Sequence, residues 1–283
     1  MLPSGIGFTL LWVLVRLASA ELHPFALVVW SNALGFVWLL PMLLTGHGVF
    51  HREAVLRDAR LHLRRATFGV FGLFALFYAV AKAPLALVLA IGFAAPLFAG
   101  IGALLFLRER PGWIRSIALM AGMAGLLLVL RPGVGVVSPG MLAALLAAAI
   151  AAFSSLALGA EANAGDPGAA VAWSLLLMTP LSALLALPWW HWPEANLWPL
   201  LFAIGACAAA GHLGLARALH LAGECWVPPF EFVRFGLVAV AGAWLFDEPA
   251  DPATLGGGGI LLLAALVLAV RAHGRRLRGE SDG

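Results

Sequence analysis

Residues 85–107 read LALVLAIGFAAPLFAGIGALLFL, and this stretch decides the fold. It carries no charged side chain and is flanked by Lys82-Ala83-Pro84 before it and Arg108-Glu109-Arg110 after it. A helix needs roughly 20 apolar residues to cross a bilayer. Barrel strands would be shorter and would alternate apolar with polar. Working outward, similar apolar runs fall at 4–20, 24–44, 66–81, 114–130, 139–158, 169–187, 198–219, 225–246 and 254–271, ten in all. Connectors such as Glu21-Leu22-His23-Pro24, Arg131-Pro132-Gly133 and Asp166-Pro167-Gly168 separate them. The expectation is an all-α integral membrane protein with ten transmembrane helices.

Composition excludes the alternatives. Of 283 residues, 63% are apolar and 11% charged, against about 45–50% and about 25% in soluble domains. A soluble core could not hide that surplus, and the surface left over would aggregate. Ten spans use up nearly the whole chain, so no soluble catalytic or nucleic-acid-binding domain has room. The net charge is only +3, so the basic pI describes membrane flanks and not a nucleic-acid surface. Cys207 and Cys225 lie in or beside apolar segments without C-x-x-C spacing, which argues against a disulfide framework or thiolate metal site. Residues 5–20 with Ala18-Ser19-Ala20 imitate a secretory signal, but Met1–Thr9 hold no Lys or Arg for a positive n-region. The segment is read as the first, short helix.

Orientation follows from Lys and Arg. Threading ten helices puts Arg52, Arg57, Arg60, Arg64, Arg65, Arg108, Arg110, Arg115, Arg271, Arg275, Arg276 and Arg278 on one side. Only Lys82 and Arg131 fall on the other, with the acidic turn Asp247-Glu248-Pro249-Ala250-Asp251. The positive-inside rule therefore predicts both termini in the cytoplasm and a multi-pass protein of the inner (plasma) membrane. Trp189, Trp190, Trp192 and Trp198 then fall at the outer interface, where indole rings prefer to lie.

The chain also repeats itself weakly. Shifted by 139 positions, Ala79 meets Ala218, Ala83 meets Ala222 and Glu109 meets Glu248. The division expected is a first five-helix repeat in 1–133, a second in 139–271 and a basic cytoplasmic tail in 272–283. Five helices per half force the halves into opposite orientation, the inverted repeat typical of secondary transporters.

These features carry a resemblance. Pro84-Leu85-Ala86 opens the fourth segment, Leu107-Arg108-Glu109-Arg110 closes it, and Arg131-Pro132-Gly133 follows the fifth. Ala216-Arg217-Ala218-Leu219 precedes the ninth segment and Phe246-Asp247-Glu248-Pro249 ends it. In order and spacing the chain resembles the EamA-type members of the drug/metabolite transporter superfamily along almost its whole length. The resemblance implies small-solute transport, commonly export of amino acids or other metabolites. Many members place a basic residue early in the second helix, where this chain has Trp30-Ser31-Asn32. An anion-binding role does not carry over to that position.

Ionisable groups inside spans cost about 2.5–3.5 kcal/mol on insertion scales, so each calls for a reason. Glu231 and Arg234 share one face of the ninth segment, either as a self-neutralising pair or as contacts to the amino and carboxylate groups of a zwitterion. Glu231 is also the candidate for a coupling proton. Pro228-Pro229 just before it predict irregular backbone with free carbonyls. His212 in the eighth segment is read as a packed histidine or as part of the route. Trp30, Ser31 and Asn32 form the densest polar-aromatic cluster of the second segment, and Tyr78 lies near the outer end of the third. Together with Trp30, Ser31, Asn32, Tyr78 and His212, the pair Glu231 and Arg234 makes up the expected substrate site. Arg16 is read as reaching the interface or facing substrate. No ATP-binding loop, H-E-x-x-H or G-x-S-x-G context is found, so no enzyme, cofactor or metal site is expected.

The leading expectation is a secondary transporter exporting a small amphipathic metabolite such as an amino acid, with ligand held between two rocking halves. One alternative is uptake of a nucleoside-like or cofactor-like solute. Another is a non-transporting scaffold whose buried charges serve assembly. The expected partners are a small-molecule substrate and the lipid bilayer, with a homodimer as a compatible assembly and no nucleic acid.

Overall fold

A computed structural model describes residues 2–45, 59–106, 112–131, 137–158, 167–222, 227–248 and 251–277. Among them every regular element is helical. The helices are α1 (Leu2–Ala18), α2 (Pro24–Thr45), α3 (Ala59–Lys82), α4 (Leu85–Gly92), α5 (Ala95–Phe106), α6 (Trp113–Leu130), α7 (Pro139–Leu158), α8 (Pro167–Ala186), α9 (Trp198–Ala222), α10 (Val227–Phe246) and α11 (Pro252–Leu277). Two 3-10 turns, Leu187–Trp189 and Ala195–Leu197, lie between α8 and α9. Six stretches are long and apolar enough to cross a membrane, and four shorter apolar helices accompany them. The chain is an all-α membrane protein, and its ten apolar segments are the ten expected. Lipid leaves no other solution, because each backbone N–H and C=O must be bonded within its own segment.

Three expectations are corrected. The third segment, expected at 66–81, is longer: α3 starts at Ala59, so Arg60, Arg64 and Arg65 lie on the helix. The fourth segment is not one helix, because α4 ends at Gly92 and α5 starts at Ala95. Pro96 lacks the N–H that would bond the Gly92 carbonyl, and the turn closes with the Ala94 N–H on the Ile91 carbonyl at 2.9 Å. Finally, Pro228-Pro229 do not distort a span. They occupy the first turn of α10, where the missing N–H groups would have no helical partner anyway.

The helices gather into two compact units. One comprises Met1–Ala81 with Leu158–His220, the other Lys82–Ala157 with Leu221–Gly283. Each draws on both sequence halves, so compact units and repeats are different divisions of the chain. A compact unit is a matter of contact, a repeat one of symmetry.

In the first unit α1, α2, α3, α8 and α9 pack. Leu39 of α2 joins Val171, Ala172 and Leu175 of α8 and Ala209 of α9 in a buried cluster. Small residues let α9 approach α1 closely: a Cβ on Gly7 would lie 3.1 Å from the Gly211 nitrogen. Between lipid-bathed helices such close van der Waals packing replaces the hydrophobic drive.

The second unit repeats the device. A Cβ on Gly125 of α6 would lie 2.9 Å from the Gly257 carbonyl of α11. Phe93, at the break between α4 and α5, meets Phe235 of α10 edge to face at 5.5 Å. Trp113, Met120 and Trp244 stand exposed, as expected of side chains facing lipid.

The helix ends of this unit are tied by polar groups, Glu248 and Asp251 of the acidic turn among them. Arg131 caps α6 in the left-handed region (φ 45°), its N–H bonding the Leu127 carbonyl at 2.9 Å. Its guanidinium pairs with the Asp251 carboxylate. Asp251 in turn caps α11, accepting from the Ala253 and Thr254 N–H groups at 2.9 and 3.1 Å and from the Thr254 hydroxyl at 2.6 Å. Partial burial pushes the Asp251 carboxyl up, but the hydrogen bonds from Thr254 and Ala253 and the Arg131 charge outweigh it and hold it below its ordinary value. Glu248 accepts from the Leu85 N–H, the first of α4, at 3.2 Å. A carboxylate at a helix N-terminus satisfies an orphan donor and meets the positive end of the dipole.

Candidate functional site

The expected site residues fall into both units. Trp30, Ser31, Asn32, Tyr78 and His212 belong to the first, Glu231 and Arg234 to the second. Each group is described by itself.

In the first unit α2 carries the polar-aromatic cluster. Ser31 is buried and satisfied by its own helix, its hydroxyl donating to the Val28 carbonyl at 2.9 Å. Asn32 is 1% exposed, and its Nδ2 has no hydrogen-bond partner among the described residues. Trp30 stacks on Trp190 at 5.6 Å and meets Trp198 edge to face at 5.1 Å. Its Nε1 is also buried without a partner among the described residues. A buried donor left unsatisfied costs about 1–3 kcal/mol, so two in one short stretch are the most informative polar atoms of the unit.

A second aromatic group lies beside the first. Phe25 stacks on Phe74 of α3 at 4.6 Å, faces Tyr78 at 6.3 Å and meets Trp189 edge to face at 4.9 Å. His23 stacks on Trp189 at 5.4 Å. The sequence reading placed these tryptophans at an interface and missed that Trp190 and Trp198 face Trp30, and Phe25 and Phe74 face each other. One signal was available: Phe25 and Asn32 are seven residues apart and so share a face of α2. The contacts to Trp190 and Trp198, some 160 residues away in sequence, had none.

The remaining first-unit groups are packed. The His212 Nδ1–H donates to the Ala208 carbonyl one turn earlier at 2.8 Å, and the ring meets Phe8 edge to face at 5.1 Å. Arg16 does not simply reach for the interface: its Nη1 donates to the Val80 carbonyl at 2.7 Å. That carbonyl belongs to the last turn of α3, where cations are favoured.

In the second unit the Arg234 Nη1 donates to both Glu231 oxygens, each at 2.9 Å. The two side chains are 13% and 23% exposed. The two side chains are thus joined along one helix face, at the three-residue spacing seen in the sequence. Among the described residues, no group of three or more His, Cys, Asp or Glu is placed to hold a metal ion. Glu109 and Cys225 lie outside the described residues.

Comparison with known proteins fits this architecture. Residues 1–131 match the EamA-like transporter family. A riboflavin transporter of Vibrio cholerae is 28% identical over 100% of this chain and 95% of its own length. An S-adenosylmethionine uptake transporter of Rickettsia bellii is 25% identical over 93% and 92%, and a pseudopaline exporter of Pseudomonas aeruginosa is 29% identical over 94% and 93%. A crystal structure of a protein 23% identical, covering 99% of both chains, superposes with a TM-score of 0.57 and shares the fold. Through its residues 1–131 the chain is similar to the EamA-like transporter family, and along nearly its whole length it is similar to these transporters.

Proposed function

We propose that the protein is a secondary transporter of the inner membrane, with both termini cytoplasmic, that carries a cofactor-like or nucleoside-like solute inward. The observation that carries this reading is on α2: the buried Asn32 amide and the buried Trp30 indole N–H have no hydrogen-bond partner among the described residues, and Trp190 and Trp198 pack against Trp30. Transporter sites combine such aromatic walls with a few polar groups that fix orientation. The near full-length relatives named for riboflavin and for S-adenosylmethionine uptake support the same class. Inverted repeats in 1–133 and 139–271, rocking about a midplane site, are the proposed route.

Export of an amino-acid-like metabolite is the second reading, favoured by the pseudopaline exporter at 29% identity. In it, Glu231 and Arg234 hold the two ends of a zwitterion. In either reading Glu231 is the proposed carrier of a coupling proton. Glu231→Gln is then expected to abolish proton-driven flux while leaving exchange across the membrane partly intact.

The test is flux into and out of proteoliposomes with labelled riboflavin, S-adenosylmethionine and a panel of amino acids. Riboflavin or S-adenosylmethionine entering faster than into protein-free vesicles supports the first reading. Movement of amino acids alone supports the second. Binding or flux of no solute at all leaves the scaffold.

A further inference from the structure

We propose that the break in the fourth segment is a hinge, and that the Phe93–Phe235 contact sets it according to the state of the Glu231–Arg234 pair. The proposal rests on the transport reading above and names the residues through which the pair acts on the second unit. The two sides of the break are tied to different neighbours. α4 is held to α10 at both ends. At the outer end the Leu85 N–H donates to Glu248, two residues past α10, at 3.2 Å. At the break Phe93 meets Phe235 edge to face at 5.5 Å. α5 lies instead on α6: a Cβ on Gly100 would lie 2.7 Å from the Leu119 side chain, and one on Gly122 3.4 Å from the Leu97 side chain.

Between those two attachments the backbone is least stiff. Pro96 leaves the Gly92 carbonyl without its helical donor, and such a lost bond is where helices bend. A Cβ on Gly92 would meet nothing within 4 Å among the described residues, so no packed neighbour keeps this residue small. What the missing side chain supplies is backbone freedom.

The ring contact leads from the hinge to the charges. Glu231 and Phe235 are one turn apart and share a face of α10. Arg234, next to Phe235 in the chain, spends one Nη1 on both Glu231 oxygens. A change that weakens this hold lets the first turns of α10 repack. Phe235 is buried: a Cβ on Gly258 of α11 would lie 2.7 Å from its ring and 3.1 Å from the Ala90 Cβ of α4. A ring packed that closely passes a shift to Phe93 and α4, because a dense interior has no slack to absorb it. Packed elements of this kind change between discrete arrangements, with the bend taken up by a few hinge residues.

The experiment uses the full chain in lipid nanodiscs, with Cys207→Ser and Cys225→Ser, and spin labels on Leu128→Cys and Trp244→Cys. Both positions are exposed and lie in the last turns of α6 and α10, so one label rides with α5 and the other with α4. Their distance distribution is the readout, and it needs no solute. Two distance populations are expected in this labelled chain. Glu231→Gln, which leaves a weaker acceptor for Arg234, should shift their ratio, and adding Phe93→Leu should abolish that shift. Gly92→Ala with Pro96→Ala, which restores a helical donor to the residue-92 carbonyl, should leave a single population. A single population before these changes, or two unaltered ones in the Gly92→Ala, Pro96→Ala chain, overturns the hinge, and this arm decides alone if Glu231→Gln does not fold. A Glu231→Gln ratio equal to that of the parent overturns the link to the pair. A shift that survives Phe93→Leu overturns the role of the ring contact. Labels that behave as expected in a protein that moves no solute in vesicles support the hinge and remove the transport reading. Rigid labels in a protein that does move solute overturn the hinge and leave transport standing.

Discussion

Asn32 and the Glu231–Arg234 pair are polar intrusions into otherwise apolar helices, and they are handled in different ways. The charges come as a matched pair three residues apart and close on each other, with one Nη1 donating to both carboxylate oxygens. The amide is neutral and more deeply buried, yet its Nδ2 takes no partner among the described residues. A charge alone in a dry span is too costly to keep, whereas a neutral donor costs a few kcal/mol at most. A membrane protein can therefore hold an amide open for a ligand more cheaply than it can hold an ion open.

The largest effect that would break this contrast lies at the pair. Glu231→Gln deprives Arg234 of its carboxylate and should lower stability by about 3 kcal/mol, measured as loss of the folded fraction in detergent titrations. Replacing both with leucine should recover most of that loss. A stable, correctly inserted Glu231→Gln protein with unaltered flux would remove Glu231 from both structure and coupling.

The contrast sharpens at Asn32, where the sign reverses. Asn32→Leu removes a buried donor without a described partner and keeps the branched shape and heavy-atom count, so stability should rise, by about 1 kcal/mol. Thermal unfolding of the ligand-free protein checks it. A fall of similar size would mean that the amide has a structural partner and is not held open.

The smallest effect lies at the helix ends. Asp251→Ala removes the α11 cap and the Arg131 contact and should cost about 1 kcal/mol. The Asp251 carboxyl is held below its ordinary value, so its contribution is present above the usual carboxylate range. It is lost as pH falls through the lowered value. Wild-type stability should therefore decline in acid below about pH 4, and that share of the decline should be absent in Asp251→Ala. An acid limb of unchanged size in the variant would assign the pH dependence elsewhere.

The break in the fourth segment shows how far the chain could be read without its fold. Gly92 and Pro96 were visible in LALVLAIGFAAPLFAG, but hydropathy is blind to a lost N–H, and the run looked like one helix. Pro228-Pro229 misled in the other direction. Their effect depends on where the helix starts, and α10 starts at Val227. For the site, the residue types at 30–32, 78, 231 and 234 were legible, because polar or aromatic side chains in an apolar run call for a reason. Which of them are satisfied was not. His212 and Ser31 bond to their own helix, while Trp30 and Asn32 each keep a donor without a partner among the described residues.

By itself the sequence determined that this is a membrane protein of ten apolar segments. Lipid forces backbone hydrogen bonds inside each segment, so an apolar run of spanning length is already a helical element. Only tertiary structure decided what those helices do to one another. It sets the tryptophans near 190 against Trp30, seats the Glu248 carboxylate on the first N–H of α4, and joins Arg131 to the cap of α11. Each contact joins residues over a hundred positions apart. Helix packing in lipid depends on close fit and polar pairing more than on hydropathy, and no periodicity along one chain records which faces will meet.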